Sequence, residues 1–101
     1  MKKILLCCAA GMSTSMLVQK MEKVAKEQGV DVEITAVGFD EFVEIIDEYD
    51  CCLLGPQIKY KLAELKNLAE KKNKPIAVIG TLDYGMMNGE KVLNDALGMM
   101  R

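Results

Sequence analysis

Histidine is absent from the 101 residues. That removes every Cys-His and Ser-His nucleophile pair and the commonest borderline metal ligand, so a nucleophile here must be activated by backbone, hydroxyl, lysine or a helix end. An excess of positive charge is also missing. With 13 basic and 15 acidic residues the net charge is -2, and the sequence lacks the footprint that a phosphate backbone requires, which argues against nucleic acid as a partner. No apolar run approaches the roughly 20 residues that span a bilayer, so no direct membrane insertion is expected. The four cysteines stand as two adjacent pairs, Cys7-Cys8 and Cys51-Cys52. This is not the C-x-x-C spacing that converges two thiolates on one zinc, so the sequence implies no metal and no cofactor.

What is present suits a folded domain. Hydrophobic residues make up 50% of the chain and charged residues 28%, the balance of globular proteins rather than of disordered or membrane-spanning ones. The length implies one domain, residues 1–101, with no room for a second independent core. Lys2 and Lys3, followed by apolar residues 4–10, mimic a secretion signal. The mimicry is shallow: the run is at the short end for such a segment, no small-x-small cleavage site follows, and cleavage would remove the first strand. A cytoplasmic location is expected, with the cysteines kept reduced.

Apolar runs alternate with amphipathic segments along the chain. Residues 2–8 read as a buried strand, and residues 14–28 as a helix with Leu17, Met21 and Val24 as its apolar stripe, ended by Gly29. Residues 31–37 alternate into a second strand. Residues 39–48 read as a helix with Phe42, Val43, Ile45 and Ile46 inward; its acidic residues Asp40, Glu41, Glu44, Asp47 and Glu48 read as a solvated face. A short strand at 51–54 stops at Gly55-Pro56. Ile58, Leu62, Leu65 and Leu68 then recur at helical spacing until the KKNK stretch. Residues 75–79 form a fourth strand, followed by a loop over 80–89 and a last helix through Val92, Leu93, Ala96 and Leu97. Strict alternation predicts an α/β domain: a parallel sheet between two helical layers, a three-layer α/β/α sandwich.

In such open sheets ligands bind beyond the carboxyl ends of the strands. The loop leaving the first strand at Cys8 offers Gly11 for close backbone approach, then Ser13, Thr14 and Ser15 leading into a helix. Unpaired amides at a helix start point at a bound anion, and successive loop amides form a nest around it. The same field favours the thiolate, so an exposed, nucleophilic Cys8 is expected. Buried cysteines are usually packing residues, and that reading holds for Cys7, Cys51 and Cys52. For Cys8 the packing and nucleophile readings stand level on these grounds.

C-A-A-G-M-S-T-S over residues 8–15, L-L-G-P-Q-I over 53–58 and D-Y-G over 83–85 occur together and in order. In this combination the chain resembles, essentially end to end, the IIB component of sugar phosphotransferase systems of the lactose/cellobiose/chitobiose type. The resemblance implies a four-stranded parallel sheet in the order 2-1-3-4, as in low-molecular-weight tyrosine phosphatases. It implies a relay in which Cys8 takes a phosphoryl group from a phosphohistidine of a IIA protein and passes it to a sugar held by the IIC membrane transporter. Such a protein is expected to be a monomer, reaching the membrane only through IIC. Cys8 matches the phosphocysteine position. Ala9, Ala10, Gly11, Met12, Ser13, Thr14 and Ser15 would surround the phosphate, through amides and the three hydroxyls.

The alternative is a low-molecular-weight phosphatase working through Cys8 with Asp83 as general acid. That chemistry uses C-x5-R, and here the sixth residue after Cys8 is Thr14. Without the guanidinium the loop should hydrolyse its own thiophosphate more slowly, which is what a carrier needs. Asp83 otherwise reads as a solvated loop carboxylate or turn former. Gln57 and Tyr84 are second-rank candidates. Gln57 reads otherwise as a cap of the third helix, Tyr84 as a half-buried ring with a wet hydroxyl. Met12 and Met16 flank the hydroxyl triplet and suit a surface that fits two partners in turn, although Met16 reads first as core. A third class, an interaction module with an incidental thiol, predicts no phosphate turnover.

Overall fold

In the computed structural model residues 1–8 and 12–100 are described, residues 12–14 by their backbone alone. Strand β1 (Lys2–Cys8) is followed by helix α1 (Met12–Gln28), which ends at Gly29 with φ of 69°, the left-handed cap that glycine adopts without strain. Strand β2 (Val32–Gly38), a short helix α2 (Phe42–Ile45) and strand β3 (Cys51–Leu54) come next. Then follow α3 (Leu62–Lys71), β4 (Ile76–Val78), α4 (Thr81–Gly85) and α5 (Gly89–Met99). The four strands form a parallel sheet in the order β2-β1-β3-β4.

Internal strands of a parallel sheet are covered on both faces, so their sequences are apolar without alternation. In β1, residues 4–8 are buried throughout. Ile4 and Leu6 enter one core with Leu17 and Met21 of α1 and Val92, Leu93 and Ala96 of α5. Leu5 and Cys7 enter the other, with Phe42, Ile46, Ile58, Leu65 and Ala69. Strand β3 divides in the same way, Cys51 and Leu53 to the first core, Cys52 and Leu54 to the second. The period of two along each strand thus sorts one apolar run into two cores, and each fully buried Leu or Ile contributes about 1.5–3 kcal/mol.

Five expectations need correction. Residues 39–48 are not one helix: 3-10 turns at Phe39–Glu41 and Ile46–Glu48 flank a four-residue α2. Five carboxylates at helical i,i+3 and i,i+4 spacing repel, and Val43, Ile45 and Ile46 are β-branched, so little local propensity sustains the helix. Val43 points to solvent at 53% exposure, while Phe42 and Ile46 are buried. The third helix begins as 3-10 turns at Pro56–Lys61, kinked at Ile58, before α3. The loop over 80–89 contains α4, which Tyr84 pins into the first core. Strand β4 is shorter than expected, yet Cys52 N–H donates to the Pro75 carbonyl at 3.0 Å and Ile79 N–H to Leu54 at 2.8 Å, continuing the ladder at both ends.

Registry aligns the strands at their carboxyl ends. Cys8 pairs with Gly38, Cys7 with Leu54, and Leu54 with Val78, so the segments leaving all four strands emerge along one edge. Among the described residues no helix is long and apolar enough to cross a membrane.

Candidate functional site

Cys8 closes β1 at this edge, and α1 begins four residues on, at Met12. Its exposure is 1%, where an exposed thiol was expected. The reason lies in both flanking strands. Gly38 pairs with Cys8 on one side. On the other, Gly55 N–H donates to the Cys7 carbonyl at 2.8 Å, and a Cβ added to Gly55 would stand 3.2 Å from the Cys8 Cβ. A side chain at position 55 would be tight against Cys8, and glycine leaves that space open.

The residue two beyond each of these glycines folds back over it. Asp40 Oδ1 lies 2.7 Å from the Cβ position of Gly38, with the Cys8 carbonyl oxygen 3.8 Å from the same point. Gln57 Oε1 lies 2.6 Å from the Cβ position of Gly55. Gln57 Oε1 and the Cys8 Cβ thus lie within about 6 Å of each other, on either side of the space above Gly55, while Asp40 stands toward the Cys8 carbonyl. Gln57 is not a helix cap, because neither the turns at Pro56–Lys61 nor α3 carries a side-chain cap. The sequence signal for this approach is the glycine that directly follows a buried strand; Asp40 in the sequence reads only as part of a solvated face. Lys61, which follows in the same segment, is held over the Phe39 ring at 5.0 Å and on Glu64 at 3.3 Å.

The other expected residues are placed as follows, where they lie among the described residues. Ala9, Ala10 and Gly11 lie outside the described residues, as do the side chains of Met12, Ser13 and Thr14; Ser15 is exposed on the first turn of α1. Asp83 is in the first turn of α4 and pairs with Lys91 at 3.6 Å, a helix position rather than a loop. The Tyr84 ring is buried at 8% exposure in the core beneath α1 and α5, not half-exposed. Met16 is 58% exposed and not core. With Tyr60, Leu82 and Met86 it makes four exposed apolar side chains on the segments that leave β1, β3 and β4.

The remaining thiols sit inside the sheet. Cys7 and Cys52 have their Sγ atoms 3.6 Å apart. Burial, and then the Asp50 carboxylate, push the Cys51 thiol up to about 12. Burial, followed by the hydrogen bond with Cys7, pushes Cys52 well above the ordinary thiol range. Both stay neutral, and a neutral thiol is a poor nucleophile. Among the described residues no three His, Cys, Asp or Glu side chains are grouped to hold a metal.

Parallel strands in this order, with a thiol closing an internal strand at their carboxyl edge, define an α/β protein of the open-sheet class, in which ligands bind at that edge. The chain belongs to the family described as PTS system, lactose/cellobiose specific IIB subunit, which matches residues 3–95. It is thus a IIB component of a sugar phosphotransferase system, and a phosphotransferase. It is 44% identical over 100 residues to the oligo-beta-mannoside-specific EIIB component of Bacillus subtilis, covering 99% of this chain and 97% of that one. The lactose-specific IIB domain of Streptococcus pneumoniae shares its fold, with a TM-score of 0.90 at 22% identity over 99% of this chain and 98% of that one. A lactose-specific EIICB component of Streptococcus mutans is 29% identical over 68 residues, 67% of this chain and 12% of that protein.

Proposed function

We propose that Cys8 is the phosphoryl carrier of this IIB component. The observation that carries the reading is position: of the four thiols, Cys8 alone stands at the strand end facing a helix start, while Cys7, Cys51 and Cys52 lie within the strands. In the proposed step the Cys8 sulfur attacks the phosphorus of a phosphohistidine on a IIA protein. The S–P bond forms as the P–N bond breaks, and the thiol proton ends on the released imidazole. Amides from Ala9 to Thr14, with the hydroxyls of Ser13, Thr14 and Ser15, surround the group. It then passes to a cellobiose-, chitobiose- or lactose-like disaccharide held by IIC.

The Streptococcus mutans relative supports IIC as the acceptor partner, since its name joins the IIC and IIB components in one protein. Exposed Met16, Tyr60, Leu82 and Met86 supply adaptable apolar contacts on segments leaving the same edge, which suits docking to a donor and an acceptor in turn. In this reading residues 1–101 act as one IIB domain, monomeric, on the cytoplasmic side of the membrane. Transfer is favoured over hydrolysis by Thr14 standing where a phosphatase has arginine, and by Asp83 being engaged with Lys91.

The test is phosphorylation by phosphoenolpyruvate, the upstream carrier proteins and a IIA protein, followed by intact mass. Wild type should gain one phosphoryl group and Cys8→Ser none. A Cys8→Ser protein that still gains one would sink the assignment.

A further inference from the structure

We propose that Gln57 is the side chain that holds the phosphoryl group once it is on Cys8. This rests on the reading of Cys8 as phosphoryl acceptor. The Gln57 amide oxygen and the Cys8 Cβ flank one point above Gly55, 2.6 and 3.2 Å from it. The two atoms are therefore within about 6 Å of each other, which brings a group carried on the Cys8 sulfur within reach of this amide. The backbone around Gln57 is fixed on both sides. Gly55 N–H donates to the Cys7 carbonyl at 2.8 Å, Ile58 N–H donates to the Gly55 carbonyl at 3.1 Å, and the Ile58 side chain is fully buried. Pro56 restricts the turn further. The backbone that carries the amide is thus fixed before any phosphate arrives, so less order has to be gained when the amide meets the phosphoryl group.

The chemistry of the amide suits a carrier. Rotation about its last side-chain bond presents the NH2 group, two donors, to the non-bridging phosphoryl oxygens. Gln57 gives and takes no proton; it accompanies the phosphorus from nitrogen to sulfur. Lys61 of the same segment is drawn away, to the Phe39 ring and to Glu64. A neutral donor orients a dianion without the concentrated positive charge by which arginine stabilises the transition state of attack by water.

The experiment compares wild type, Gln57→Ala, Gln57→Glu and Cys8→Ser, each charged by phosphoenolpyruvate, the upstream carriers and a IIA protein, with intact mass followed in time. Gln57→Ala should gain its single phosphoryl group about tenfold more slowly, the scale of one hydrogen bond to a charged group. Gln57→Glu should be slower still, since a carboxylate repels the dianion and donates nothing. In wild type the Gln57 side-chain amide resonances should move on phosphorylation and return on discharge, a change that a purely structural role would not give. Gln57 is exposed, so both variants should melt as wild type does. Rates within twofold of wild type for both variants, or amide resonances that stay put, would overturn the proposal while leaving Cys8 as acceptor. Phosphorylation of Cys8→Ser would instead overturn the acceptor reading beneath it.

Discussion

The thiols of Cys7 and Cys52 meet across the β1–β3 ladder with their Sγ atoms 3.6 Å apart and no solvent exposure. Cys8, one residue on from Cys7, is 1% exposed and ends strand β1 at the carboxyl edge of the sheet. Successive strand residues point to opposite faces, so adjacent identical side chains acquire unrelated environments. Iodoacetamide applied to the native protein should therefore label Cys8 first, and more slowly than an exposed thiol because it is 1% accessible. Cys7, Cys51 and Cys52 should be labelled only as the chain unfolds. Peptide mass mapping with and without urea checks this, and labelling of Cys52 as fast as Cys8 in native buffer would contradict it.

Alkaline pH should destabilise the fold through the same buried thiols. The Cys51 thiol is raised from an ordinary 9.0 to about 12, and Cys52 is raised too. Below pH about 9 both thiols are protonated whether folded or not, and stability does not depend on them. Between that value and about 12 the unfolded chain loses protons that the folded chain keeps, so stability falls as pH rises. Urea midpoints should decline above pH ~9, and Cys51→Ala should flatten part of the decline. An equally steep fall in a Cys51→Ala, Cys52→Ala double variant would show that other groups are responsible.

Strands β1 and β3 begin and end where the sequence places them, because both runs are apolar on both faces and each is followed by a turn or loop signal: Gly11 beyond the first, Gly55-Pro56 beyond the second. The order of strands came from motif resemblance, since alternation alone fixes a parallel sheet but not its sequence of neighbours. Helix α4 was hidden because its stability is tertiary: Tyr84 buries its ring in a core formed by distant segments. The burial of Cys8 was hidden for a similar reason. It depends on how closely Gly55 approaches from another strand, and no local pattern around Cys8 records that distance. The nearness of Gln57 to Cys8 is legible only once β1 and β3 are known to be neighbours.

Helix α2 illustrates dependence on packing over propensity. Four residues cannot sustain an isolated helix, and this one carries Glu44 among a run of like charges. Phe42, fully buried in the second core, and Ile46 at 1% exposure hold the segment to the sheet. Phe42→Ala should cost about 3–5 kcal/mol of unfolding free energy. It should also remove amide-exchange protection across 39–48 before the rest of the fold is affected. A loss below about 1 kcal/mol would mean that the segment is anchored elsewhere.

Two glycines of α5 should respond to the same substitution with opposite signs. At Gly89 a Cβ would lie 2.7 Å from the carbonyl carbon of Lys20, 2.8 Å from the Lys20 Cβ and 2.8 Å from Met21 N. These are mainly backbone atoms of α1, which cannot swing aside as a side-chain tip can, and the two helices must separate to admit a methyl group. Gly89→Ala should cost about 1–3 kcal/mol despite alanine's better helix propensity. At Gly98, within the same helix, a Cβ would meet nothing within 4 Å. Propensity then acts alone, and Gly98→Ala should stabilise the fold by up to about 1 kcal/mol. Urea unfolding of the two variants side by side isolates the helix contact from the helix preference. If Gly89→Ala matched or exceeded wild type, the close approach of α1 and α5 would not be a constraint on the fold.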